Sequence, residues 1–441
     1  MSIITRFAPS PTGMLHVGNI RTAIVNWLFT KKMNGKFMLR MDDTDLERSK
    51  EEYKQAIIED LKWVGLDWDI FATQSERLGR YNKVKEELIA SNRLYECYET
   101  PEELETKRKI LVSSGRPPIY DRAALKLTSE QKQKYKDQGR KPHYRFLLND
   151  EQITWHDMVK GEMKFDPANL SDPILVREDG SMTYMISSTI DDIDFAITHI
   201  IRGEDHVSNT AIQVQLFKAL NSEPPKCGHL ALIQSKDNKI SKRVGGFDIR
   251  SLKGEGIEPL SLISFLSTLG TSKPITAFAD KQEAIDSFDI KSFSLSPTNY
   301  SFEELERINQ KIVSQYNFLE VRERLEALGC SGINEQFWLA IKANIHTLKE
   351  VITWWQICKN PAGLVQEDRE FLMQAASLLP EGDINETTWS EWTKKVAEVT
   401  GKKGKELFMP LRLALTGMDH GPELKQILPL IGRDEIIRRL S

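Results

Sequence analysis

An imidazole at His16 and a distant cationic run, Lys239-Ile240-Ser241-Lys242-Arg243, are residue types that stabilise charge on phosphate. His16 follows the breaker cluster Pro9-Ser10-Pro11-Thr12-Gly13, where an opening strand over residues 3 to 8 feeds a helix carrying Ile20, Ile24, Trp27 and Leu28 at helical spacing. Unpaired N–H groups at such a helix start attract phosphate, and Gly18 lets backbone approach closely. A ring there can donate to α-phosphate oxygens as negative charge builds in a pentacovalent transition state. Lys239, Lys242 and Arg243 sit on a polar loop after Leu230-Ala231-Leu232-Ile233, from which flexible cations reach a triphosphate and stabilise departing pyrophosphate. Taken singly, the first motif reads as a turn histidine and the second as solvated surface. Their placement at two ends of one predicted sheet joins them into a phosphate site.

Arg6 lies inside the opening strand and Arg202 ends a strand over 197–201. Two arginines at strand ends suit a side-chain carboxylate held by charge-assisted forks, and Asp42 suits an α-ammonium. A structural ion pair of Arg6 with Asp42 or Asp43 is the competing reading. Asp191-Asp192 and Glu204-Asp205-His206 are poorly spaced for a metal and read as helix caps with ribose or amino-acid contacts.

The elements that must position these groups follow from pattern. Phe37, Leu39 and Met41 alternate as a second strand running into Asp42, which completes a βαβ opening and implies a parallel sheet. Charged helical runs and Gly115-Arg116-Pro117-Pro118 interrupt this sheet, and short apolar strands over 174–176, 197–201 and 230–233 resume it. From Glu303 onward helical periodicity dominates. The expected organisation is an α/β Rossmann-like catalytic domain over 1–97 and 176–235, an inserted domain over 98–175, a connecting region over 236–315 that carries the lysine loop, and an all-α domain over 316–441.

A length of 441 residues exceeds one compact core, and a net charge of -4 gives no global basic field. Four scattered cysteines without a Cys-x-x-Cys pair indicate reduced thiols in a cytoplasmic protein. No apolar run approaches the roughly 20 residues of a membrane span. The first residues enter a strand at once, so no leader peptide is expected.

These residues resemble bacterial-type glutamyl-tRNA synthetases of class I. The resemblance runs through Arg6 to Arg21, with Asn19 where the wider class ends its motif in His, then Tyr184 to Asp192, Ile201 to His206 with Asn209-Thr210, the Lys239 to Arg243 loop, and Gly404 to Arg412 with Leu415-Thr416-Gly417 and His420-Gly421-Pro422. It implies a catalytic role for His16, Lys239 and Lys242. Pro9, Gly18, Asn19, Leu232, Ile233, Lys242 and Arg243 fall on positions that seat ATP, while Arg6, Ala8, Ser10, Asp42, Tyr184, Ser188 and Arg202 fall on glutamate-binding positions. Asp42 stands where most relatives carry Glu. The insertion is then expected to hold the tRNA acceptor end and the helical domain to read the anticodon.

The implied reaction joins L-glutamate to tRNA(Glu) through a glutamyl-adenylate. It uses ATP with Mg²⁺, which takes most of its ligands from phosphate. The expected partners are tRNA(Glu), with tRNA(Gln) as an alternative, and the expected state is a monomer. Relatives that bind zinc in the insertion carry cysteines of which only Cys97 remains here, with Ala124 at another position, so no metal is expected. Residues 321 to 441 hold 16 Lys+Arg against 17 Asp+Glu, so RNA contact falls to local patches such as Lys402, Lys403, Lys405 and Arg412. A short transferase acting on a modified tRNA base would lack the C-terminal domain, and a glutaminyl enzyme would usually carry a β-barrel there. A non-catalytic tRNA-binding paralogue is the reading from a different class, opposed by the intact His16, Lys239 and Lys242.

Overall fold

The first strand, β1 (Ile4–Phe7), ends at the proline-rich turn, and α1 (Val17–Lys32) follows. The chain returns through β2 (Lys36–Met41), α2 (Glu51–Val64) and β3 (Ile70–Thr73), which add parallel neighbours in the order β1-β2-β3. The computed structural model describes residues 2–235, 248–359 and 368–441, with side chains to residue 234 in the first stretch. Gly65, at φ 80°, closes α2 in the left-handed region.

After α3 (Leu78–Ala90) comes the antiparallel sheet of the insertion. It orders β4 (Leu94–Cys97), β5 (His143–Phe146) and, beyond α4 (Pro101–Ser113) and α5 (Ser129–Asp137), β8 (Ile174–Val176). The intervening hairpin of β6 (Ile153–Asp157) and β7 (Gly161–Phe165) departs from the expected boundaries. It pairs with β10 (Lys226–Leu230) and so extends the main sheet instead of the insertion.

The main sheet continues through α6 (Tyr184–Asp194), β9 (His199–Gly203) and α7 (Val207–Ala219) to β10, which runs parallel to β9. Ile4 and Thr198 join the starts of β1 and β9, with Ile4 N–H donating to Thr198 Oγ1 and Thr198 N–H to the Ile4 carbonyl, both at 2.9 Å. Two ladders, β3-β2-β1 and β9-β10-β6-β7, thus lie side by side with β1 next to β9. Chain order reverses between β1 and β9, and the crevice beyond the carboxyl ends at such a reversal is where open α/β sheets bind ligands.

The expected strand over 230–233 is broken. Arg21 donates to the Ala231 carbonyl at 2.8 Å, and Glu204 Oε1 accepts the Leu232 N–H at 3.1 Å. These side chains take backbone groups that a ladder would have used, so pairing stops at Leu230 and resumes over Ile233–Ser235.

The chain forms two compact units, Met1–Ser251 with Ile263–Thr276 and Asp280–Ser301, and Leu252–Leu262 with Ala277–Ala279 and Phe302–Ser441. The expected connecting region over 236–315 is thus divided between them. Helices build the second unit around a core that includes Trp338, Trp392, Ile427 and Trp354. Trp354 belongs to that core, as its apolar helix suggests. Gly421, at φ 115°, lies so close to its indole that a Cβ would come within 2.2 Å of the ring. No helix among the described residues is long and apolar enough to cross a membrane.

Candidate active site

His16 is the N-cap of α1. Its Nδ1 accepts the Gly18 N–H at 3.0 Å, and Asn19 Oδ1 accepts the His16 N–H at 3.3 Å, a reciprocal capping box built from His and Asn. Burial pushes the His16 pKa below its ordinary value, so the ring is neutral near pH 7. With Nδ1 accepting, the neutral ring carries its proton on Nε2. Gly18 has a reason beyond phosphate approach: a Cβ there would sit 2.9 Å from the imidazole Cε1. Asn19 likewise closes the cap, which explains a side-chain amide at that position.

A cavity of about 600 Å³ opens at the ends of β1 and β9. Every described residue expected to meet ATP or glutamate lines it: His16, Pro9, Gly18, Asn19, Leu232, Ile233, Arg6, Ala8, Ser10, Asp42, Tyr184, Ser188 and Arg202. Lys239, Lys242 and Arg243 lie outside the described residues. The described chain on either side is tied to the site, since Ile233 lines the cavity and Asp248 forms a β-bridge with His16.

The two arginines are unlike. Arg6 donates to both oxygens of Asp192, at 3.2 and 3.4 Å, so its hydrogen-bonded ion pair is with neither Asp42 nor Asp43. Asp43 instead accepts from the Ser75 backbone and hydroxyl. Arg202 is buried among neutral acceptors: the Tyr184 hydroxyl at 3.0 Å, Thr210 Oγ1 at 2.6 Å and Gln213 Oε1 at 2.7 Å. It makes no ion pair among the described residues, and its buried Nε has no hydrogen-bond partner there. A buried guanidinium without a counter-charge favours a carboxylate in the cavity it faces.

Asp42 differs from its expected part as well. Arg40 takes both its oxygens, at 2.6 and 3.2 Å, and also reaches Asp192 at 2.7 Å and Ser188 Oγ at 2.8 Å. Burial outweighs the Arg40 charge and raises the Asp42 pKa to about 6. Asp191 and Asp192 are not caps: they lie in the last turn of α6 and hold Arg77, Tyr81 and Gln74, and Arg6 and Arg40, respectively. Sequence reading missed Arg40, although a charged residue in the apolar run of β2 was a usable signal.

A buried chain of polar groups supports Arg202 from behind. Asp157 bonds His229 Nδ1, His229 Nε2 meets Thr210 Oγ1 at 2.8 Å, and Thr210 bonds Arg202. The partners assign the proton to Nδ1, so Nε2 accepts the threonine hydroxyl and leaves its oxygen to receive the guanidinium. Glu204 works in parallel, holding Lys160 at 2.6 Å and the Leu232 N–H.

In the helical unit the four expected RNA contacts divide. Arg412 donates to the carbonyls of His420 and Pro422 at 3.1 and 2.8 Å, and Lys402 pairs with Asp368 while lying 4.1 Å over the Phe371 ring. Both are engaged in holding local structure. Lys403 and Lys405 are exposed. In the insertion, Cys97, Glu99 and His143 bring ligand atoms within 4.8 Å of one another. No cysteine spacing reveals this group, because His143 comes from the neighbouring strand.

Residues 2–307 match the family described as tRNA synthetases class I (E and Q), catalytic domain, and residues 340–441 match the anticodon binding domain. A glutamate--tRNA ligase 1 of Rickettsia felis is 58% identical over all of this chain and 99% of its own length. A glutamate--tRNA ligase 2 of Rickettsia canadensis is 57% identical over the same shares. Among solved structures, a glutamate tRNA ligase from Elizabethkingia meningosepticum, in complex with its amino acid, superposes with a TM-score of 0.85 at 26% identity, covering 100% of this chain and 98% of that one. With a doubly wound sheet, a capped His16 at its switch point and these full-length relatives, the chain belongs to the class I tRNA synthetases of the E and Q type.

Proposed function

We propose that this chain is a glutamate--tRNA ligase that uses ATP to attach L-glutamate to tRNA(Glu) for protein synthesis. The observation that carries the amino-acid side is Arg202, a buried guanidinium facing the cavity with no carboxylate partner among the described residues. A glutamate side chain supplies that counter-charge, and Tyr184 fixes the plane of the fork. Asp42, paired with Arg40, also lines the cavity and is a carboxylate there that the ammonium can meet.

The glutamate α-carboxylate attacks the α-phosphorus of ATP, the bond to the bridging oxygen breaks, and pyrophosphate leaves. His16 Nε2–H donates to the phosphate oxygens on which charge accumulates, with the amides of the α1 start beside it. Lys239, Lys242 and Arg243 are assigned to the triphosphate by their residue types. Mg²⁺ offsets phosphate charge when bound with ATP, chiefly through phosphate oxygens. The terminal ribose hydroxyl of tRNA then attacks the adenylate carbonyl and AMP leaves. No protein nucleophile is required, because orientation and charge stabilisation supply the catalysis.

Of the four residues expected to meet RNA in the helical unit, the exposed Lys403 and Lys405 are offered to it, and the working state is a cytoplasmic monomer. Charging of purified tRNA(Glu) and tRNA(Gln), side by side with ATP, Mg²⁺ and radiolabelled glutamate, tests the reading. Glutamyl-tRNA(Glu) is the expected product. Absence of product with tRNA binding retained would overturn it, and charging of both tRNAs would extend the specificity to tRNA(Gln).

A further inference from the structure

We propose that the turn joining β6 to β7, Asp157 to Gly161, is a two-armed brace on the active site: Asp157 positions the glutamate fork through His229 and Thr210, and Lys160 positions the ATP segment through Glu204. This brace rests on the glutamate--tRNA ligase reading, and its residues lie behind those expected to touch substrate.

Local sequence makes the turn and docks it. Gly161 takes φ 74°, which glycine adopts without strain, so the chain reverses within a few residues. Asp157 shapes the reversal, since its Oδ1 accepts the Val159 N–H at 3.0 Å and the Lys160 N–H at 2.9 Å. The same oxygen accepts the His229 N–H at 3.1 Å, and the Met158 N–H donates to the Cys227 carbonyl at 2.7 Å, which fixes the turn on β10. Burial raises the Asp157 carboxyl, but the His229 bond and the turn amides outweigh it and bring the pKa to about 2, so the group is an anion.

The glutamate arm is directional. Arg202 donates to Thr210 Oγ1 at 2.6 Å, the Thr210 hydroxyl donates to His229 Nε2 at 2.8 Å, and His229 Nδ1–H donates to Asp157 Oδ2 at 2.5 Å. Each proton points away from Arg202, and the line of hydrogen bonds ends on a buried carboxylate. The ATP arm acts on backbone instead. Between Leu230 and Ile233 ladder pairing does not set the path of the chain; Glu204 Oε1 accepts the Leu232 N–H at 3.1 Å, and Lys160 Nζ holds Oε2 at 2.6 Å. Lys160 and Glu204 are both mostly sheltered, so the pair is not an ordinary surface contact. Leu232 and Ile233 line the cavity, and Lys160 thereby fixes the wall expected to seat ATP.

Two arms on one turn predict crossed kinetics in steady-state charging of tRNA(Glu). Asp157→Asn keeps an oxygen for the three backbone N–H groups and sets an amide N–H against His229 Nδ1. The ring then carries its proton on Nε2 and donates to Thr210, whose own proton turns to the His206 carbonyl at 3.3 Å. The glutamate KM should rise about tenfold, with the ATP KM within about twofold of wild type. Lys160→Met should do the reverse, raising the ATP KM about fivefold and the glutamate KM less than about twofold, and Lys160→Arg should restore both. Added to Arg202→Lys, Asp157→Asn should move the glutamate KM by less than about twofold, because it acts through the arginine. Equal rises of both KM values in either single variant, a wild-type glutamate KM in Asp157→Asn, or a further rise of about tenfold in the double variant would overturn the brace. Should Asp157→Asn fail to fold, Thr210→Val should give the same glutamate effect and Thr210→Ser should reverse it; a wild-type glutamate KM in Thr210→Val would overturn the glutamate arm. Equilibrium dialysis with labelled glutamate and labelled ATP reads the same split without turnover. A wild-type chain that binds both and charges no tRNA would refute the ligase activity alone, and the dissociation constants of the variants would then decide the brace.

Discussion

Arg202 and Arg439 are both buried arginines, one in each unit, and their surroundings are opposite. Arg439 is saturated: Nε meets Glu435 at 2.7 Å, and the two terminal nitrogens donate to the carbonyls of Leu415 and Ile357 at 2.5 and 2.8 Å. Among the described residues Arg202 has only neutral partners, and its Nε has none. The first is a closed clasp that completes backbone hydrogen bonding at the end of the chain. The second is held in position by hydroxyl and amide oxygens, with no carboxylate beside it among the described residues.

If that contrast holds, substitution separates binding from stability. Arg202→Lys loses the fork, so the KM for glutamate should rise about a hundredfold, with the KM for ATP within about twofold of wild type. Steady-state aminoacylation measures this, and an unchanged glutamate KM would remove Arg202 from the pocket. Arg439→Met leaves two buried carbonyls and part of Glu435 unpaired and should cost about 3 kcal/mol of helical-unit stability. Urea unfolding of the full chain reads that loss, while the glutamate KM should stay at the wild-type value.

The smallest effect is on acid response. Burial holds His143 and His199 as neutral rings with pKa values lowered to about 4. Each is depressed from its ordinary value, so the unfolded chain binds protons first, and the catalytic unit loses stability as pH falls from about 6.5 toward 4. Glu435 is lowered to about 2 by Arg438 and Arg439, so its contribution in the helical unit persists until pH falls below about 4.5. Hydrogen exchange at pH 5 should therefore rise in peptides spanning β5 and β9 before it rises in the last helix, and the reverse order would contradict the assignment.

How much of this could be read from sequence follows the physics of each feature. The βαβ opening, the capped His16 and the cavity lining were legible, because breaker residues and strand ends are local signals. The partner of Arg6 was not, since Asp192 lies 186 residues away while Asp42 and Asp43 are the nearer candidates. Lys402 and Arg412 read as surface cations because charge is visible in sequence while a carbonyl or carboxylate waiting nearby is not. The hairpin β6-β7 was assigned to the insertion because nothing in its pattern reveals which sheet edge it will join. His229 drew no notice, for a lone histidine in a short apolar strand gives no sign that both its nitrogens are committed.

That histidine bears on how amino-acid preference can change. The hairpin at the outer edge of the sheet, through Asp157, His229 and Thr210, fixes the angle at which Arg202 enters the cavity. A redesign for an uncharged side chain would have to rebuild Arg202 together with Tyr184, Thr210 and Gln213, since removing the arginine alone takes the donor from two hydroxyls and an amide oxygen. A single mutation can therefore weaken the hold on the acidic substrate, whereas a new preference needs coordinated replacement of the groups that now receive the guanidinium.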